Sequence, residues 1–219
     1  RALDYEKAMR GRNRLLAEDS RDGRWFEAIE AQMAETGVAI AAARMELLHL
    51  MRAMIEKLPE GGPFPKADIA IDGDLERQIG DRPAVEIEEG VIRQLAEERG
   101  RDRAAGRTLA GPHRSDLLVR HRPKDMAAEF CSTGEQKALL VGMTLAHARL
   151  TAEVSGMTPI LLLDEIAAHL DEGRRAALFS ILVESGGQTL MTGTDAALFS
   201  SIAEQAQFLT VANGTVRPA

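Results

Sequence analysis

Apolar residues recur at helical spacing through the first 60 positions, and the pattern predicts two helices, over 2–17 and 25–58. Asp19-Ser20-Arg21-Asp22-Gly23 separates them with turn-forming residues. In the second, Phe26, Ile29, Met33, Ala41, Met45, Leu48 and Ile55 make a stripe that only Arg52 interrupts. At the rise of an α-helix that segment would be about 50 Å long. Two such helices joined by a short turn are expected to bury their stripes against each other as an antiparallel arm. Gly61-Gly62-Pro63-Phe64-Pro65 ends the arm, because proline cannot continue a helix.

Beyond the arm, Ile69 and Ile71 alternate with polar neighbours and predict a short strand, followed by a basic helix over 85–105 and a strand over 108–110. After Cys131 the pattern alternates: helix 135–153, strand 160–163, helix 173–184, strand 189–191, helix 195–205, strand 208–211. Parallel strands need crossover helices of this kind, so the expected fold class is α/β with a mostly parallel sheet. Asn213-Gly214 between two apolar stretches predicts a type I′ hairpin, whose central residues both need positive φ.

Length changes this picture by allowing two domains within 219 residues, with the arm at 1–62 and the sheet-bearing part at 63–219. No apolar run approaches the roughly 20 residues that span a bilayer, and the opening residues RALDYEKAMR have no apolar signal-peptide core, so a cytoplasmic location is expected. Cys131 is the only cysteine, which excludes an intrachain disulfide and a cysteine-built metal site. Arg1 stands where an initiator Met is expected, which suggests a processed chain or a fragment. The net charge of −7 argues against a protein that coats nucleic acid uniformly. Between Arg99 and Lys124, however, eight basic residues face two acidic ones, and a local positive patch is expected there.

The strand 160–163 runs into Asp164-Glu165, so an apolar stretch fit for a sheet centre delivers two carboxylates at its carboxyl edge, where α/β folds bind ligands. This is the form of a Walker B motif, with Asp164 holding Mg²⁺ through water and Glu165 polarising the attacking water. A core strand followed by a helix-capping acid has the same pattern. Leu170-Asp171, with Ala167-Ala168-His169 before them, resemble the D-loop of ABC ATPases, and Asp171 equally suits a helix N-cap. Upstream, Ser132-Thr133-Gly134-Glu135 resembles the ABC signature, in which a Ser and a Gly approach a γ-phosphate at a helix N-terminus. A Ser-capped helix with Glu at N3 reads identically. No GxxxxGK[ST] loop occurs, since none of the five lysines follows a glycine.

Signature, helix, Walker B and D-loop stand in the ABC order. The stretch Gly106–Leu117, containing Gly111-Pro112-His113-Arg114, resembles the GPHR segment of the RecF family, and residues 5–16 and 132–146 are also similar to it. ABC transporters lack that segment, and SMC-like relatives carry much longer coiled coils than a 60-residue arm. The resemblance implies the carboxy-terminal part of a RecF-type ATPase that lacks Walker A. It also implies ATP and Mg²⁺ as cofactors, an ATP-dependent homodimer, and DNA at single-strand/double-strand junctions as substrate. RecR and RecO are its implied partners in loading RecA. Two positions depart from the ABC pattern: Cys131 replaces a leucine, and Thr194 stands at the switch position usually held by histidine. His113, Arg114 and Arg107 are candidate phosphate contacts, against a tight turn with Arg114 paired to Asp116. Lys7, Arg10, Arg12 and Arg14 read as a solvated face or a DNA-following row, and Tyr5 and Trp25 as arm packing. The competing function is a non-catalytic interaction module of an SMC-like protein whose ATPase motifs are vestigial.

Overall fold

The computed structural model describes residues 1–20 and 22–218, and the helices fall close to where the periodicity places them. They are α1 (Ala2–Ala17), α2 (Gly23–Glu56), α3 (Ala84–Glu97), α4 (Arg99–Ala105), α5 (Thr133–Ser155) and α6 (Glu172–Glu184). The strands are β1 (Ala67–Asp72), β2 (Asp116–His121), β3 (Met126–Ala127), β4 (Leu161–Leu163), β5 (Thr189–Met191), β6 (Leu209–Ala212) and β7 (Thr215–Pro218). β1, β2 and β3 form a sheet in that order, β4 and β5 a parallel pair, and β6 and β7 an antiparallel ribbon. Asn213 and Gly214 turn that ribbon with φ of 50° and 73°, as a type I′ turn requires.

The chain divides into two compact units, one of 1–50 with 69–118 and one of 51–68 with 119–219. Residues 69–118 thus share a unit with the first fifty residues, whereas the sequence places a boundary at 62. In the first unit Leu15 and Leu16 of α1 pack on Phe26 of α2, and Tyr5 and Ala8 on Met33. The stripes do meet, but Leu95 of α3 joins the core of Tyr5, Ala8 and Met33, and Ile87 of α3 packs with Val38 and Ala41 of α2 in another, so this is a helical cluster with more than two members. Trp25, expected to pack within the arm, is exposed.

Three sequence expectations are corrected here. The helix over 85–105 is interrupted at Glu98 and ends at Gly106, whose φ of 68° suits a residue without Cβ. The segment 108–110 is not a strand, because side chains take its backbone donors: the Thr108 amide donates to Asn13 Oδ1 at 2.9 Å and the Leu109 amide to Asp102 Oδ1 at 3.0 Å. The helix over 195–205 is a 3₁₀ segment, Ala196–Gln205, capped by Asp195. Strands β2 and β3 were not expected at all, since Arg122-Pro123-Lys124-Asp125 hides a hairpin turn in a basic stretch.

In the second unit α5 and α6 bury Ala138, Val141, Leu145, Leu178, Phe179 and Leu182 in one core with Phe199 and Ile202. Leu161 and Leu163 of β4 face that core. Leu162 and Leu190, on the opposite face of the parallel pair, are 73% and 53% exposed. The strand expected at 208–211 is β6, which pairs with β7 in the terminal ribbon and not with β4 or β5. Among the described residues no helix is long and apolar enough to cross a membrane.

Candidate functional site

β4 ends at Leu163, whose carbonyl accepts the Thr192 amide at 3.1 Å, so Asp164 and Glu165 emerge beside the end of β5. Glu165 takes a φ of 53°, in the left-handed region that residues with a Cβ rarely enter. The Glu165 amide donates to Thr192 Oγ1 at 3.0 Å, and the Thr192 hydroxyl donates to Asp164 Oδ1. The sequence singles out Thr194 here, yet Thr194 is exposed and makes no side-chain hydrogen bond among the described residues. Thr192 is the hydroxyl that touches this carboxylate pair. Its signal was available in principle: a hydroxyl at the carboxyl end of the strand neighbouring an acidic edge. Between the two threonines Gly193 is required, since a Cβ there would lie 2.7 Å from the Phe199 ring.

Ser132 caps α5 in a capping box with Glu135. The Ser132 amide and hydroxyl both donate to Glu135 Oε2, at 3.0 and 2.9 Å, and Lys124 pairs with the other carboxylate oxygen. The Lys124 ammonium first, then the donors of Ser132, hold the Glu135 carboxyl down at about 2. Ser132 and Thr133 are exposed, and a Cβ at Gly134 would meet nothing within 4 Å. Among the described residues the α5 N-terminus therefore has open space in front of Gly134. Among the described residues no hydrogen bond or ion pair joins 132–135 to Asp164 or Glu165.

Leu170 is buried in the same core as α6, and Asp171 Oδ1 accepts the Arg174 amide at 2.9 Å as an N-cap. Cys131 is buried as a small apolar residue and donates weakly to the Ala127 carbonyl at 3.6 Å.

The Gly111-Pro112-His113-Arg114 segment is held from several sides. Pro112 begins a 3₁₀ turn, and its carbonyl accepts Arg44 Nη1 at 2.6 Å. Arg44 also pairs with the buried Glu76, which accepts the Ser115 hydroxyl at 2.8 Å. His113 Nε2 lies 3.1 Å from the Thr108 carbonyl, which can only accept, so Nε2 carries the proton. Nδ1, 3.1 Å from Tyr5 Oη, then accepts the phenol proton. Both ring nitrogens are therefore engaged within the chain, and His113 is a clamp where the sequence offered a phosphate contact. Burial first, with Arg114 opposing further charge, lowers the His113 pKa. A group depressed on folding binds its proton more readily when unfolded, so stability should fall as pH drops below the unfolded value of about 6.5. An NMR titration of the His113 ring should accordingly give a midpoint below that value.

The basic stretch does not persist as a patch. Arg99 pairs with Glu30, Arg103 with Asp19, Arg120 with Asp125, Arg122 with Glu56 and Asp68, and Lys124 with Glu135. Arg101, Arg107 and Arg114 are exposed with no side-chain partner among the described residues, and Arg114 does not pair with Asp116. Of the row near the start, Arg10 pairs with Glu6, while Arg12 is fully buried between Glu30 and Asp102 and follows neither of its expected roles.

No protein-family model matches the chain. It is 74% identical over 218 residues to the DNA replication and repair protein RecF of Mesorhizobium japonicum, a match covering 100% of this chain and 58% of that protein. The protein of the same name from Brucella abortus is 66% identical over 214 residues, covering 98% and 56%. A solved structure of the recombination mediator protein RecF-ATPrS in the RecFOR pathway has the same fold, with a TM-score of 0.78 and 21% identity over 99% of this chain and 57% of that one. The chain thus spans between half and two thirds of the length of the curated relatives it matches.

Proposed function

We propose, from the premise that this chain belongs to the RecF family, that it is the part of an ATP-dependent DNA-repair and recombination-mediator protein that carries the signature and Walker B elements. The observation that carries this reading is the carboxylate pair Asp164-Glu165 at the carboxyl end of the parallel strands β4 and β5. The bare leucines Leu162 and Leu190 support it, since such a face in an ATPase head is covered by further sheet or helix. A P-loop elsewhere in the full-length protein supplies the phosphate cradle that these 219 residues lack.

In this reading Glu165 is the general base. Asp164 has an oxygen left to bind Mg²⁺ through water, the cation offsetting charge on the phosphates. Ser132, Thr133, Gly134 and Glu135 present the α5 N-terminus to ATP held by a second copy, with Leu170 and Asp171 as the D-loop and Thr194 at the switch position. The open space before Gly134 supports an approach from outside the chain. Arg114 and Arg107 are the proposed phosphate contacts to DNA, with single-strand/double-strand junctions as substrate and RecR and RecO as partners in the cytoplasm. The paired Asp164 and Glu165 favour a working ATPase over a vestigial interaction module.

Glu165→Gln in the full-length protein should keep ATP and DNA binding and lower turnover by about two orders of magnitude, the scale of losing a general base. Steady-state hydrolysis checks this, and a wild-type rate would place the base elsewhere.

A further inference from the structure

Thr192 occupies a position whose hydroxyl is committed in both directions. Its Oγ1 accepts the Glu165 amide at 3.0 Å, and an amide nitrogen can only donate. The hydroxyl's single proton is therefore available for Asp164 Oδ1, which it reaches. The backbone of Thr192 is fixed independently, through its amide on the Leu163 carbonyl at 3.1 Å. As a β-branched residue at the end of a strand, Thr192 also has few χ1 choices. A rigid hydroxyl thus joins two consecutive carboxylate residues.

The consequences for the two differ. Asp164 is oriented through its side chain: Oδ1 accepts the Thr192 hydroxyl, while Oδ2 has no hydrogen-bond partner among the described residues. Glu165 is oriented through its backbone, since its amide bond to Thr192 helps hold the φ of 53° that sets the direction of its side chain. We propose that Thr192 is a positioning residue for hydrolysis, aligning Asp164 and Glu165 together through one hydroxyl. The proposal rests on the ATPase reading above and adds to it a residue that neither the Walker B pattern nor the switch position contains.

The test uses the full-length protein with Thr192→Val, which keeps the shape and loses the hydroxyl, Thr192→Ser, which keeps the hydroxyl, and Glu165→Gln as reference. Thr192→Val should lower kcat by roughly tenfold to a hundredfold, the effect of misplacing catalytic groups by about an ångström, with ATP affinity nearly unchanged. It should also raise the Mg²⁺ concentration needed for half-maximal rate. Thr192→Ser should recover most of the rate. Hydrogen exchange at the Glu165 amide, measured without nucleotide, should quicken in Thr192→Val and stay slow in Thr192→Ser. Should the valine variant fold poorly, Thr192→Ala compared with Thr192→Ser asks the same question. A folded valine or alanine variant with wild-type kcat and a protected Glu165 amide would overturn the proposal, as would a folded serine variant as slow as valine. If Glu165→Gln is slow while Thr192→Val is not, only the role of Thr192 fails. If Glu165→Gln hydrolyses at the wild-type rate, the ATPase assignment of these carboxylates fails first.

Discussion

Arg12→Met should cost the chain about 3–5 kcal/mol of stability, the penalty for removing one partner from a buried ion pair. The Arg12 side chain is fully buried, as are those of Glu30 and Asp102. Its guanidinium donates from Nε to Glu30 Oε1 at 3.0 Å, from Nη1 to Asp102 Oδ2 at 2.6 Å and Thr108 Oγ1 at 2.9 Å, and from Nη2 to the Leu95 carbonyl at 2.7 Å. Glu30 would retain Arg99, but among the described residues the Asp102 carboxylate would keep only the Leu109 amide and stay buried with an uncompensated charge. Set against the roughly 5–15 kcal/mol that holds a domain folded, the loss is a large fraction of the total. Arg12→Lys should fall between, since an ammonium keeps the charge but cannot reproduce the planar fork. Urea denaturation with intrinsic fluorescence measures the midpoints. Equal midpoints for wild type and Arg12→Met would show that the buried network contributes nothing. The effect should also reach the Gly111-Pro112-His113-Arg114 segment, because Asp102 and Thr108 tie Arg12 to it. Faster amide exchange at Thr108 and Leu109 is the expected sign.

A second large effect concerns assembly. If Ser132 serves ATP held by another copy, full-length homodimers of Ser132→Arg and of a P-loop lysine variant should each be inactive. Mixed in equal amounts, they form dimers in which one site has both defects and the other has neither. With random exchange, half the dimers are mixed and each has one sound site, so roughly a quarter of the wild-type rate should return. Ser132 is exposed, so the arginine meets no packing obstacle in its own chain, though it removes a helix cap and sets a cation at a helix N-terminus. Gly134→Ala is a quieter companion, since a Cβ there contacts nothing within 4 Å. Steady-state ATPase across mixing ratios, with heterodimers verified by tagged co-purification, is the measurement. No recovery at any ratio would restrict Ser132 to its visible role as the cap of α5.

The helices α1, α2, α5 and α6, the Asn213-Gly214 turn and the carboxylates after β4 were legible in the sequence because each depends on neighbours a few residues away. Helical periodicity, a two-residue turn with positive φ and an apolar run ending in acids are local patterns. The family resemblance added an order of motifs that no single pattern carried.

Other features depend on residues that meet across long stretches of chain. Arg12 looked like one of several surface cations, and only the approach of Asp102 and Thr108, 90 and 96 positions away, made it a buried hub. The strand expected at 108–110 failed for the same reason, as Asn13 and Asp102 outcompeted a neighbouring strand for its amides. The basic stretch looked like a patch until Glu30, Asp19, Glu56 and Asp68 paired with its members. His113 lost its ring nitrogens to Tyr5 and Thr108, and Thr192 gained its place between Asp164 and Glu165 from the pairing of β4 with β5. Spacing along a chain reports which groups share a face of one helix or strand. Which donor meets which acceptor is decided when elements pack, because a buried polar group must find its partner wherever the fold brings one within about 3 Å.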